Sequence, residues 1–277
     1  MPYLKRLRMR MSSGMLGVVT VVAVLIFCAV IIVLISSTAR RTIGEYIEAT
    51  DLWLHPSAQR AYAFGDGHFN ANDPSAYDIE AAEYFFTIAA KLDPSLPYVF
   101  HELARIEFLK GDFNAALALI NIQILDQGDK TPTSYYMRGL IEGYGGDYAD
   151  AEHDYAHYLN YDPIDWAAVN DYSWVLLKDG KPAQADAAIE KVLQYFPNNP
   201  WLYNSDAIAL SEMGDATTAK ARITVAAQAV RSMTVTQWAR AYPGNDPSVV
   251  GQGLEAFKAA VMTNLQRIGN DSAVLEP

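Results

Sequence analysis

Residues 166–200 read WAAVNDYSWVLLKDGKPAQADAAIEKVLQYFPNNP, two apolar runs of helical spacing that are separated by one breaker and followed by another. The first run extends from Trp166 to Leu177 and stops before Gly180, and the second stops before Pro197. Glycine supplies the left-handed residue that ends a helix, and proline cannot continue one. The stretch therefore predicts a helix, a glycine turn, a second helix and a proline turn.

The glycine of this turn recurs at a nearly constant interval along the chain. Successive members are 35, 34 and 34 residues apart, and an alanine follows each one five residues later. A small side chain is expected there because two helices that cross closely leave no room for a larger one. A fixed period predicts that one helix pair is stacked several times, since a single pair has too little core to fold alone. The residues are Gly111, Gly146, Gly180 and Gly214, with Ala116, Ala151, Ala185 and Ala219.

Each period resembles the tetratricopeptide repeat. That family has a small residue in the first helix, glycine and an aromatic residue at the turn, alanine and then a large apolar residue in the second helix, and proline at the end. Two repeats depart from the pattern, with Gly128 and Arg231 near the position of the final proline. Further matching residues are Ala104, Phe113 and Ile120; Gly139, Tyr148, Tyr155 and Pro163; Ser173, Ile189 and Pro197; and Ala207, Ile223 and Ala226.

The resemblance implies an all-α fold, a right-handed solenoid of about five helix pairs similar to tetratricopeptide repeats, with C-terminal capping helices. The predicted repeats are 55–94, which is irregular and has an insertion at 70–79, and then 97–130, 132–165, 166–199 and 200–233. Together they form a predicted solenoid over 55–233. The flanking predictions are a basic N-terminus over 1–13, a transmembrane helix over 14–37, a stalk or cap helix over 38–54, a C-terminal cap over 234–268 and a tail over 269–277.

The predicted transmembrane helix depends on an uncharged stretch. Met15 to Ile35 is 21 residues without a charged side chain, and about 20 apolar residues cross a bilayer. We therefore predict a retained single-span signal-anchor helix and leave a cleaved signal peptide as the alternative. More basic residues precede the span than follow it closely, which favours a cytoplasmic N-terminus and extracytoplasmic repeats at a cell membrane.

The charge of the chain argues against a nucleic-acid partner. The formal net charge is −11, and the first 39 residues hold four basic and no acidic side chains, so the remainder carries −15. Such a domain repels phosphates. The single cysteine, Cys28, lies in the predicted span, so the repeats can form no disulfide bond within the chain.

No combination of residues in the sequence indicates catalysis, and we predict no enzymatic activity, no cofactor and no metal. Gly143 to Gly146 is glycine-rich, but the repeat explains it as a turn between helices. His153 and His157 are four residues apart, a spacing that can hold zinc. They lie on the second helix of a repeat, whose free side is expected to face solvent, so we interpret them as surface residues.

The resemblance points instead to a concave groove. In tetratricopeptide-repeat proteins the first helix of each repeat lines the groove and contacts the ligand. Arg105 is the one obvious cation at the corresponding positions, and the aromatic and amide side chains there suit an extended or helical peptide. For Trp174 and Trp201, packing between helices is an equal alternative. The predicted partner-binding residues are Tyr98, His101, Arg105, Phe108, Tyr136, Leu140, Asn170, Trp174, Trp201, Asn204 and Ile208.

The sequence thus predicts a membrane-tethered scaffold or adaptor that binds a protein or peptide partner in its groove, at a bacterial envelope or secretion complex. The alternative is a structural subunit that assembles with copies of itself, as a homo-oligomer within a membrane complex, and has no peptide ligand.

Overall fold

The computed structural model describes residues 21–31, 37–71, 73–242 and 245–270, which form helices and turns and contain no strand. The chain divides into two compact units, Met1–His55 and Pro56–Pro277.

Among its described residues, the first unit contains two helices. Helix α1 covers residues 21–31, and α2 covers Ser37–Leu54. Apolar side chains at Ile43, Tyr46 and Ile47 lie exposed along α2. The assignment of residues 38–54 as a stalk or cap helix stays a prediction.

The predicted transmembrane helix over 14–37 is wrong for the part of the chain that the structure describes. No helix among those residues is both long enough and apolar enough to cross a membrane. Residues 14–20 and 32–36 of the predicted span lie outside the described residues. The single-pass topology and the membrane localisation depended on this span and are corrected with it. The setting at an envelope or secretion complex stays a prediction.

The second unit is an α-solenoid of paired helices, as the repeat predicts. The first helix of each pair packs on the second, and the second packs on the first helix of the next pair. The pairs are α3 (Ala58–His68) with α4 (Ile79–Leu92), α5 (Val99–Lys110) with α6 (Phe113–Gln127), α7 (Thr133–Gly145) with α8 (Tyr148–Tyr158), α9 (Trp166–Lys178) with α10 (Pro182–Leu193), and α11 (Pro200–Glu212) with α12 (Ala216–Ser232).

The glycines that define the period form the same turn in four repeats. Their φ angles are 81°, 93°, 70° and 85° at Gly111, Gly146, Gly180 and Gly214, in the left-handed region that favours glycine. After each glycine, the next N–H donates to the carbonyl five residues earlier, at 2.8 to 3.0 Å. This pattern satisfies the last carbonyls of the first helix, so the turn prediction is confirmed at the level of single hydrogen bonds.

The core follows the same period. The alanine five residues after each glycine is fully buried, and so is the large side chain four residues further on. Those side chains are Ile120, Tyr155, Ile189 and Ile223. Because they occupy equivalent places in successive pairs, the core is continuous along the stack.

Two helices follow the last pair. The short α13 covers Val235–Ala241 and α14 covers Val250–Gly269. Val261 and Ile268 of α14 are buried against Ile223 and Ala227 of α12. The last repeat therefore has an apolar cover, while α13 lies outside this core.

Candidate functional site

The first helices of three successive pairs line one cavity. Residues of α5, α7 and α9 border a space of about 520 Å³. Its other wall is not a repeat helix but the C-terminal end of α13 and the residues that follow. The lining residues are Arg105, Phe108, Leu109, Tyr136, Met137, Leu140, Asp165, Trp166, Ala167, Arg240, Ala241, Tyr242 and Asn245. We call this space the groove cavity.

The structure brings four of the predicted partner-binding residues together at the groove cavity, namely Arg105, Phe108, Tyr136 and Leu140. Tyr98 lies at the N-terminus of α5, where its backbone adopts a left-handed φ of 67°. Its ring contacts the ring of His101 edge-on, with 5.6 Å between centroids.

Three other predicted residues are buried within the protein. His101 Nδ1 lies 3.2 Å from Ser134 Oγ, and burial lowers the pKa of His101 to about 3, so its ring is neutral. Ile208 lies in a core cluster with Leu176. Asn204 Oδ1 accepts a hydrogen bond of 3.0 Å from Asn264 on α14. These side chains hold helices together and present little or no surface to a ligand.

Arg105 places a positive charge at the cavity wall in a fixed position. Its Nη1 lies 2.5 Å from Glu102 Oε2, and its guanidinium lies 4.6 Å from the centre of the Phe69 ring. Burial raises the pKa of Glu102, and the neighbouring Arg105 opposes this by favouring the carboxylate. Both contacts limit the orientations open to the arginine.

A chain of hydrogen bonds ties Tyr136 to the next two repeats. Tyr136 Oη donates to Asp171 Oδ2 at 2.7 Å, and Asn170 Nδ2 approaches Asp171 Oδ1 at 3.3 Å. Ser205 Oγ donates to Asn170 Oδ1 at 2.9 Å. Burial raises the pKa of Asp171 to about 6, against the opposing effect of these hydrogen bonds. The predicted residue Asn170 is thus a link between α9 and α11.

Sequence reasoning missed Asp171. Tyr136 and Asp171 are 35 residues apart, and so are Asn170 and Ser205. The period between these repeats is 34 residues, so each side chain bonds to the residue that follows its equivalent in the next first helix. Polar residues one period plus one residue apart in first helices were therefore the signal that could have identified this chain of hydrogen bonds.

Aromatic side chains form a second surface beside the cavity, at the C-terminal ends of the first helices. The Tyr144 ring lies 5.3 Å from Phe108 and 5.2 Å from Trp174. Tyr144 is 57% exposed, and it lies in the glycine-rich stretch that the sequence explained only as a turn. We call Phe108, Phe113, Tyr144 and Trp174 the aromatic shelf.

Trp201 is covered by the C-terminal part of the chain. It is 8% exposed, and its ring centre lies 5.1 Å from Phe257 and 5.9 Å from Trp238. Its Nε1 donates to Tyr242 Oη at 2.9 Å. Its ring centre also lies 5.0 Å from that of Trp166 on α9. Of the two alternatives left open for Trp201, this geometry matches packing, both against the neighbouring first helix and against segments outside the repeats.

The structure resembles solved repeat proteins. A protein titled YrrB, "a TPR protein with an unusual peptide-binding site", aligns with a TM-score of 0.55 at 14% identity over 67% of this chain and 93% of its own. The pilF protein of Pseudomonas aeruginosa aligns with a TM-score of 0.54 at 17% identity over 77% and 97%. The MamA protein aligns with a TM-score of 0.53 at 18% identity over 63% and 92%. The chain has the tetratricopeptide-repeat fold. No family model and no curated protein matches its sequence.

The acidic and histidine clusters are occupied by contacts within the protein. Among the described residues, oxygens of Asp186, Glu190 and Asp206 lie within 4.8 Å of one another. Arg222 Nε lies 2.8 Å from Asp206 Oδ2, and Arg222 Nη2 contacts Glu190. An arginine thus already supplies the positive charge that a metal would bring. Of the histidine pair, His157 Nε2 lies 3.1 Å from Asp129 Oδ1.

Proposed function

We propose that the solenoid is a non-enzymatic scaffold that binds a peptide segment of a partner protein along the aromatic shelf and the groove cavity. The single observation that carries the proposal is the groove cavity itself, which three successive first helices line. A space of about 520 Å³ falls within the size range of binding pockets. Structural similarity to YrrB, which is described as a TPR protein with an unusual peptide-binding site, supports the same class of ligand.

The residues present suit such a ligand in chemical terms. Phe108, Tyr144 and Trp174 offer ring faces for stacking. Arg105 is held by Glu102 with its charge at the cavity, and the hydroxyl of Tyr136 is held by Asp171. Rigid aromatic side chains lose little conformational entropy on binding, so a peptide gains contact area at low cost.

The test is selection of peptides from a random displayed library on the full chain, followed by titration of labelled peptides. Tyr144→Ala is expected to weaken binding about tenfold, the loss of an interface anchor worth about 1.4 kcal/mol. The control is Tyr195→Ala, because Tyr195 has the same 57% exposure but belongs neither to the aromatic shelf nor to the groove-cavity lining. The proposal fails if no peptide binds, or if both substitutions have the same effect.

Self-association, the alternative that the sequence left open, stays a prediction. Sedimentation of the full chain at high micromolar concentration tests it, since a monomer there would contradict it.

A further inference from the structure

The chain after the last repeat folds back over the groove instead of extending the solenoid. Arg240, Tyr242 and Asn245 line the groove cavity together with Arg105 and Tyr136. Beyond them, burial and then the charge of Asp246 raise the pKa of Tyr77 to about 12. We call residues 234–242 the groove segment, all of which the structure describes.

Two aromatic side chains, Trp238 and Tyr242, pack the groove segment against the rest of the protein. The Trp238 ring lies 5.9 Å from Trp201 and 5.5 Å from Phe257. Tyr242, four residues later, accepts the hydrogen bond of 2.9 Å from Trp201 Nε1. We call the site formed by Trp201, Phe257 and Gly253 the seat. It fits an indole closely, because a Cβ added at Gly253 would lie 2.9 Å from Trp238 Nε1.

Outside these two side chains the groove segment is lightly attached. The helix α13 has 7 residues and no buried one, and Val235 at its start is 52% exposed. By contrast, α11 and α12 contribute fully buried side chains throughout. Regions with few buried apolar contacts open at lower free energy than the core, so the segment can leave its seat while the repeats stay folded.

The groove segment also carries a local signal for a helical turn. Thr234 Oγ1 accepts from the Gln237 N–H at 3.3 Å, and the Thr234 N–H donates to Gln237 Oε1 at 2.8 Å. This capping box lies within the segment and favours a helical turn without the rest of the protein. A short helix with aromatic side chains at positions i and i+4 is thus the chemistry that the seat accepts.

We infer that the groove segment is a built-in occupant that a partner displaces, and that the partner carries a helical turn with two aromatic side chains four residues apart, as Trp238 and Tyr242 are. The inference rests on the proposed function, because Tyr242 both contacts Trp201 and lines the groove cavity, so a partner that replaces the segment enters the same groove. The closed segment lowers the apparent affinity for the partner by the fraction of molecules in which the seat is free.

The experiment uses a fluorescein-labelled peptide of the segment itself, TVTQWARAY, titrated by anisotropy into the full chain and into full-chain Trp238→Ala/Tyr242→Ala. The peptide is expected to bind the double variant at least tenfold tighter than the unmodified chain, since the variant offers an empty seat. A control peptide with alanine at both aromatic positions is expected to bind neither protein. Equal affinity of the segment peptide for both proteins, or equal binding of the two peptides, would overturn the inference.

A second variant covers the case in which the double variant does not fold, which circular dichroism reports. Gly253→Val keeps both aromatic residues and places methyl groups where an indole in the seat lies, whether that indole belongs to Trp238 or to the peptide, so it is expected to weaken binding of the segment peptide at least tenfold relative to the unmodified chain. An unchanged affinity in folded Gly253→Val contradicts the inference.

Hydrogen exchange on the unmodified chain tests displacement directly. Amides of α13 are expected to exchange at least tenfold faster than those of α11 and α12, and equal protection would overturn the inference.

The binding experiments distinguish a failure of this inference from a failure of the proposed function. If library-selected peptides bind at Tyr144 while the segment peptide does not discriminate, this inference fails and groove binding stands. If no peptide binds any folded form, the proposed function fails with it.

Discussion

At the scale of single residues, the backbone makes opposite demands on two adjacent glycines. Gly145 is the last residue of α7, whereas Gly146 has a φ of 93°, which strains any side chain. We expect Gly146→Ala to lower the free energy of unfolding by about 1–2 kcal/mol. Gly145→Ala is expected to raise it by about 0.5 kcal/mol, because alanine favours the helical backbone. Urea denaturation of the two variants measures both changes, and a shift of the same sign in both would contradict this reading.

Asp171 predicts a pH dependence of stability. Its pKa is about 6 in the folded protein and 3.8 in a model peptide, so the folded state binds the proton more tightly. The resulting stabilisation is present below about pH 4 and is lost as the pH rises through 6. Asp171→Asn removes this titration. Between pH 4 and pH 7, the free energy of unfolding of the variant is therefore expected to rise by about 2 kcal/mol relative to that of the unmodified chain. Urea denaturation of both proteins at pH 4 and pH 7 measures this change. A difference in free energy of unfolding that is the same at both pH values would contradict the raised pKa of Asp171.

Residues at recurring positions of the repeat pattern could be predicted, because each has an equivalent in the neighbouring repeat with the same structural role. Gly146 and Ala151 are examples, the first through its left-handed turn and the second through its burial. The register also located Arg105 and Tyr136 on first helices that line one cavity. It could not predict that Trp201 is covered, because Trp238 and Phe257 lie in a part of the chain that does not repeat.

At the scale of helices, the spacing between α7 and α9 depends on Gly143. A Cβ at this position would lie 2.9 Å from Trp174 Cζ3 and 3.1 Å from Val175 Cγ2. Gly143→Ala is expected to destabilise the protein by about 1–3 kcal/mol through overpacking and to shift the Trp174 ring on the aromatic shelf. Tryptophan fluorescence and urea denaturation report the two effects. Gly145→Ala on the same helix is the control, because a Cβ there has nothing within 4 Å, and an equal fluorescence shift in both variants would contradict the packing argument.

At the scale of the whole molecule, the ends of the solenoid are where sequence reasoning had least to use. The solenoid turns repeat, so one unit predicts the next, whereas α13 and α14 have sequences that occur once. The groove segment faces the first helices through Trp238 and Tyr242, which no spacing rule relates to Trp201. The N-terminal error has a similar origin, because hydropathy alone predicted a span that the described residues do not contain.

The stacking of neighbouring pairs also predicts how far the effect of a destabilising substitution extends along the solenoid. Val261 is buried at the C-terminal end against α12, and Phe86 is buried at the other end among residues of α4 and α5. Val261→Ala and Phe86→Leu are each expected to lower the free energy of unfolding by about 1–2 kcal/mol. Because each pair contacts chiefly its neighbours, the loss should concentrate near the substitution.

Hydrogen exchange resolved by helix measures this. In Val261→Ala, protection is expected to fall in α11 and α12 and to stay unchanged in α3 and α4, and Phe86→Leu should show the reverse. A uniform fall across all helices in both variants would show that the solenoid unfolds as one cooperative unit. In that case the groove segment, too, could not open separately from the repeats. The pair of variants therefore tests the physical premise on which displacement of the segment depends.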